Sequence, residues 1–252
     1  MEREFWKAGN MLYPVPAVMI SCMRPGERPN IITVAWAGTI CSDPAMVSIS
    51  VRKERYSYDI IRETGEFVIN LTTKDLTYAA DYCGVKSGRE IDKFKEMHLT
   101  PCESKTVSAP AIAESPVAIE CKVKQVIELG SHDMFLAEVT AVSVDKKYMD
   151  SKGKFHLNEI GLTAYSHGEY FELGEKIGKF GYSVKKKSSD RKGRRIHMSC
   201  ERFSFSYFSN VSIRSAYTSA FSFCQFRQIA SACSFVSTNR VRSMVFCSSS
   251  FA

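Results

Sequence analysis

No run in the 252 residues approaches the ~20 consecutive apolar residues that a bilayer-spanning helix needs. The charged opening MEREFWKAG also lacks the apolar core of a secretory leader, so a cytoplasmic protein without membrane contact is expected. Nine cysteines are present, yet no C-x-x-C occurs, and neither a disulfide framework nor a metal site is expected. Cys22 and Cys121 fall in strand patterns and read as small apolar packers, whereas Cys83 stays open. No G-x-G-x-x-G follows a strand pattern, so any nicotinamide must bind without a dinucleotide-binding crossover domain.

Net charge is missing from most of the chain as well. Through Lys187, 25 Lys plus Arg balance 25 Asp plus Glu, so the formal charge of +7 arises entirely in residues 188–252. A neutral body does not present the basic face that nucleic acid requires. The last 65 residues contain no Leu, no Pro and one Gly, against 17 Ser and nine Phe. That is not the mixture of a packed domain. The chain therefore divides into a folded body, residues 1–187, and an irregular C-terminal extension, residues 188–252, expected to be disordered or artefactual. The rival role for the extension is a nucleic-acid or membrane contact made by its nine basic residues, but it carries no recognisable motif.

Residues 30–57 are the most informative stretch. Ile31, Thr33, Ala35 and Ala37 alternate with Ile32, Val34 and Trp36, a strand whose small-residue face lets a flat ring approach the backbone. Val47, Ile49 and Val51 alternate with Ser48, Ser50 and Arg52, a strand with one apolar and one polar face. Arg52, Lys53 and Arg55 precede Ser57, read as the N-cap of a helix that stops at Gly65. A basic helix entrance of this kind suits an anion.

Further strands are expected over residues 15–23 and 66–71, with a helix over 74–83 whose Leu76, Ala79, Ala80 and Cys83 share one face and which Gly84 ends. Val117, Ile119, Cys121, Val123 and Gln125 alternate with Glu120, Lys122 and Lys124, and a turn at 130–133 returns the chain along 134–144. Residues 170–173, YFEL, read as a strand able to close a sheet. Many antiparallel strands with two short helices indicate a mainly β fold, a barrel rather than a layered βαβ fold.

With these residues laid out, the body resembles the flavin reductase-like family of FMN-binding split barrels, its flavoredoxin branch in particular. NMLYPVPAVMISC, NIITVAWAG, SVRKERYSYDIIRETGEFVINL, SGREIDKF and GEYFELGEKIGKFGYS carry the likeness over most of residues 5–185. The resemblance implies a homodimer of six-stranded antiparallel split β-barrels, with FMN near the subunit interface. It implies that Thr33, Val34, Ala35 and Trp36 line the ring and ribityl chain. Ser50, Arg52, Arg55 and Ser57 would hold the phosphate, with Val51 and Tyr56 in the same cofactor-binding stretch. Taken alone, Trp36 reads as core and Arg52, Lys53 and Arg55 as solvated surface charge. Residues 130–133, Gly-Ser-His-Asp, look like the family's Gly-Asp-His turn in altered order, which makes His132 a candidate for substrate contact or simply a polar turn residue.

Lys86, Ser87, Gly88 and Arg89 form a basic loop suited either to phosphate or to plain exposure. Asp92, Lys93 and Phe94 are expected to fix that loop structurally. The implied activity is an FMN-dependent oxidoreductase that moves electrons from NADH, NADPH or a redox protein to an acceptor such as a monooxygenase or another carrier. A flavin carries such chemistry itself, so no acid–base residues are required. The alternative is a non-catalytic FMN-binding module for storage or sensing.

Overall fold

The computed structural model describes residues 2–184. The domain boundary expected at 187 and the extension after it lie outside the described residues. In chain order the strands and helices are β1 (Val15–Pro16), β2 (Val18–Cys22), β3 (Asn30–Val34), β4 (Ala37–Ser42), β5 (Ala45–Val51), α1 (Tyr56–Thr64), β6 (Glu66–Leu71), α2 (Thr77–Val85), α3 (Lys93–Glu96), β7 (Pro101–Cys102), β8 (Ala111–Ile112), β9 (Val117–Glu128), β10 (Asp133–Val144), β11 (Thr163–Ser166) and β12 (Glu169–Glu172). No helix among the described residues is long and apolar enough to cross a membrane.

Seven strands make one antiparallel sheet in the order β3-β2-β6-β9-β10-β5-β4. Its two edge strands, β3 and β4, are consecutive in the chain, with only Ala35 and Trp36 between them. So short a link spans about 10 Å at full extension, which obliges the sheet to curl until its edges approach. At that seam the Ser50 amide donates to the Trp36 carbonyl at 2.8 Å. The result is the split barrel that the pattern of strands implies. A strand running unbroken through Ala37 is not what forms. The chain bends at Ala35 and Trp36 to cross the seam, and residues 37–42 become β4, a strand the alternation did not separate and the seventh of the sheet.

Alternate residues fill the barrel: Ile20 and Cys22 of β2, Ile32 and Val34 of β3, Val47, Ile49 and Val51 of β5, Phe67 and Ile69 of β6, and Phe135 of β10, joined by Tyr58, Ile60 and Ile61 of α1. Phe67 and Phe135 have no exposed surface, and truncating such a ring to Ala typically costs about 3–5 kcal/mol. A second cluster lies on the other face of β2 and β3. There Met19 and Ile31 pack against Leu76, Ala79, Ala80 and Cys83, with Phe94 and Leu99 beside them. The helical face read from the 74–83 periodicity is the one buried. The helix continues to Val85 instead of stopping at Gly84, because Gly84 permits close approach rather than a reversal: a Cβ there would lie 3.3 Å from the Thr33 Cβ.

Glu120 is buried, unlike the exposed Lys122 and Lys124 that follow it in the alternation, because the Lys105 and Thr106 amides lie over it and donate to its carboxylate at 2.9 and 2.6 Å. Residues 169–172, β12, close a sheet at its edge, but not the seven-stranded one. They pair with β11, which pairs with β1, in a separate three-stranded sheet. α1 ends as expected on left-handed Gly65, φ 68°. At its start the N-cap is Arg55 rather than Ser57, and no side chain caps the first turn.

Candidate functional site

The uncapped end of α1 opens on a narrow pocket of about 290 Å³, lined by Asn30, Glu54, Arg55, Tyr56, Ser57 and Cys83, by residues 86–89 and by Lys93. The pocket forms because β3, the first turn of α1 and the loop after α2 converge. Asn30 Nδ2 donates to Ser57 Oγ at 2.7 Å, which ties α1 to β3. Gly88 abuts the same amide, and a Cβ at that position would stand 1.9 Å from Asn30 Oδ1. A side chain there would displace either the loop or the Asn30 amide. Arg28 Nη2 donates to the Gly88 carbonyl at 2.9 Å and holds the loop down.

Arg55 and Ile32 also line a second space of about 160 Å³, along residues 32–36 with Ser50, Arg52 and His132. Trp36, Ser50 and His132 in turn line a third of about 640 Å³, with Met11, Leu12, Leu129, Gly130 and Ser131. The shared residues join the three into one trench. It is basic at the narrow end, runs along the strand seam in the middle, and widens between apolar side chains and a histidine.

The residues expected at the site divide by what they present. Ala35, Trp36, Ser50, Arg52, Arg55, Tyr56 and Ser57 line the trench. Thr33 and Val34 also border it, but their side chains turn elsewhere. Thr33 Oγ1 donates to the Ala80 carbonyl and Val34 is packed in the barrel. The face of β3 that carries Ile31 and Thr33 is therefore covered by α2 instead of by a flat ring, because Ala79, Ala80 and Gly84 let the helix lie close. Val51 points into the barrel core and lines no part of the trench.

The arginines separate as well. Arg52 is half exposed and pairs with Glu54 at 3.6 Å. Arg55 stands where the narrow and middle spaces meet and forms no ion pair among the described residues. Lys53 faces away, 3.3 Å from buried Asp133. Trp36 packs against Tyr13, ring centroids 6.1 Å apart, so it is a wall of the wide end and not a core residue. His132 borders the middle and wide spaces, and burial together with the nearby Arg52 charge pushes its imidazole below the ordinary value, leaving it neutral at neutral pH.

Several trench residues, among them Asn30, Glu54 and residues 9–12, were not singled out from the sequence. Cys83 lines the narrow pocket, but burial pushes its thiol up to about 11 and that of Cys22 up to about 12, so both are neutral thiols rather than nucleophiles. Lys93 acts structurally, as expected, and also stands at the pocket. It borders the narrow pocket while its ammonium donates to the Ile31 carbonyl at 2.6 Å and the Cys83 carbonyl at 2.7 Å. Asp92 acts structurally too, capping α3 by accepting from the Lys95 amide at 3.2 Å.

The family model described as "Flavin reductase like domain" matches residues 10–174, a span that includes the whole trench apart from Gly9. Among solved structures, the flavoredoxin of Desulfovibrio vulgaris (Miyazaki F) is 33% identical, with a TM-score of 0.68 over 73% of this chain and 100% of its own. An FMN-binding protein from Thermus thermophilus is 22% identical, with a TM-score of 0.60 over 71% of this chain and 99% of its own. A curated protein of Archaeoglobus fulgidus is 31% identical over 160 residues, 64% of this chain and 88% of its own length.

Proposed function

Because this chain belongs to the flavin reductase like domain family, a family of flavin-related oxidoreductases, we propose that its trench binds FMN and that the protein carries electrons through it. The donor is NADH, NADPH or a redox protein, and the acceptor is a second carrier or a monooxygenase. The observation that carries the reading is the uncapped start of α1 with an unpaired Arg55 beside it. First-turn amides that no side chain caps, and an arginine in no ion pair among the described residues, offer donors suited to an anion.

The rest of the trench fits the remainder of such a ligand. Arg55, Tyr56, Ser57 and the loop at 86–89 would hold the phosphate, the main chain of 33–36 with Ser50 would border the ribityl chain, and Trp36 would flank the ring. When bound, FMN supplies the one- and two-electron chemistry, while the protein positions it and limits water around it. The wide end, beside Met11, Leu12 and neutral His132, is where a donor or acceptor would approach. The likeness to a flavoredoxin favours a carrier that passes electrons to another redox protein.

A homodimer is part of the proposal. Met11 and Leu12 are 64% and 88% exposed at the wide end, and a second copy over this face would shelter them and narrow the opening. Sedimentation of the purified protein at twice the chain mass supports this, and a monomer contradicts it. For the redox assignment, FMN-loaded protein is mixed anaerobically with NADH or NADPH and the flavin absorbance followed. Bleaching that reverses on adding an acceptor supports the reading. Bound flavin that no nicotinamide reduces assigns the donor role to a protein, and flavin that no donor reduces leaves a storage or sensing module.

A further inference from the structure

We propose that Lys93 is the buried counter-charge of the phosphate group, and that filling the narrow pocket takes up a proton at this lysine. The inference rests on the FMN reading above. Lys93 is 3% exposed, an unusual position for an ammonium without a carboxylate beside it. Of its three donors, two go to the neutral Ile31 and Cys83 carbonyls, and the third has no partner among the described residues. The residue nevertheless borders the pocket, so a free donor and an unbalanced charge stand where a ligand would enter.

The groups packed around it do not supply the missing negative charge. From α2 comes the neutral Cys83 thiol, from β2 the neutral Cys22 thiol, and from the turn before α1 the Arg55 guanidinium, which repels it. The pocket rim adds Lys86 and Arg89, with Glu54 as the single acid lining it. Glu54 is already paired with Arg52 at 3.6 Å. Glu54 also feels the Arg55 charge, but one carboxylate does not balance the cations of this pocket, and Arg55 and Lys93 repel each other until an anion lies between them.

In the free protein, burial and then the Arg55 charge push the Lys93 ammonium down to about 8. A bound phosphate favours the charged form and raises that value. Between the two values the free protein has lost the proton and the complex has it, so binding takes up a proton and affinity falls as pH rises. The phosphate's own second ionisation, near pH 6, is complete below this window.

The test is calorimetric titration of the full chain with FMN, and with riboflavin as the phosphate-free control, at pH 7, 8 and 9 in buffers of different ionisation enthalpy. The expected result is an FMN Kd that weakens about tenfold from pH 7 to 9, with uptake of roughly half a proton at pH 8 and neither effect for riboflavin. Lys93→Gln keeps amide donors for the two carbonyls and removes the charge. It should bind FMN about tenfold more weakly at pH 7 and take up no proton. FMN binding that is independent of pH, or proton uptake unchanged in Lys93→Gln, would overturn the inference while leaving the FMN reading intact. If Lys93→Gln does not fold, the difference between FMN and riboflavin uptake in the unaltered protein decides. Should neither flavin bind, the FMN reading fails and inorganic phosphate replaces them as the probe. Lys93-dependent uptake with phosphate sustains the inference, and its absence overturns it.

Discussion

Asn30 on β3 and Ser57 in the first turn of α1 are both buried and joined by a 2.7 Å hydrogen bond from Nδ2 to Oγ. The bond fixes the helix entrance to the strand that runs on into the barrel seam. Residues 27 positions apart in the chain thereby meet in one wall of the narrow pocket.

Gly88 depends on that pair. A Cβ at this position meets Asn30 Oδ1 at 1.9 Å, so Gly88→Ala must displace either the loop at 86–89 or the amide. A stability loss of about 1–3 kcal/mol is expected, with FMN affinity falling more than tenfold. Urea denaturation and flavin titration measure the two effects separately. An alanine variant that binds FMN normally would show that the loop does not take part.

The two arginines should differ. Arg55→Ala removes an unpaired guanidinium from the junction of the narrow and middle spaces and is expected to weaken FMN binding by about 1–3 kcal/mol. Arg52→Ala removes a half-exposed group already paired with Glu54 and should cost about 1 kcal/mol or less. Equilibrium titration of both variants against FMN reads the order, and the reverse order would move the phosphate toward Arg52.

That distinction shows how far the sequence could be read. Alternation at Val47, Ile49 and Val51 identified β5 correctly, because one side of that strand faces the barrel interior. Alternation along residues 31–37 misled, because both faces of β3 are covered, one by the barrel core and the other by α2. A period of two cannot tell a ring-binding face from a helix-packing face. The break at Ala35 and Trp36 is a consequence of closure between sheet edges, which no local pattern encodes. The basic cluster at 52–55 was visible as charge, yet only tertiary contacts separate Arg55 from Arg52, paired with Glu54, and Lys53, paired with Asp133. Lys93 was hidden for the same reason, since nothing in the sequence marks a lysine as buried.

Trp36 gives an optical reading of the wide end. The chain has two tryptophans, Trp6 and Trp36, and only Trp36 lines the trench. Trp6→Phe should keep most of the fluorescence quenching caused by FMN, while Trp36→Phe should lose it. Strong quenching in Trp36→Phe would place the ring elsewhere.

Asp133 makes stability sensitive to acid. Its carboxylate is buried and accepts from Tyr58 Oη at 2.6 Å, with Lys53 at 3.3 Å and Arg62 at 3.4 Å. The Tyr58 hydrogen bond, and then Lys53, hold its pKa below the ordinary value. A depressed folded-state value means a contribution fully present above the unfolded value near 3.9 and lost as pH falls through the folded one. Urea midpoints measured at pH 7 and pH 3 should therefore drop further for the unaltered protein than for Asp133→Asn. Equal drops would remove Asp133 from the acid response.

The most direct measurement is paired titration of the full chain with FMN and riboflavin at pH 7 and low salt, following protein fluorescence. If the narrow pocket holds the phosphate, FMN binds roughly 100-fold more tightly than riboflavin, about 2.7 kcal/mol, and the difference shrinks in Arg55→Ala. Equal affinity for the two flavins, or binding of neither, would contradict the account.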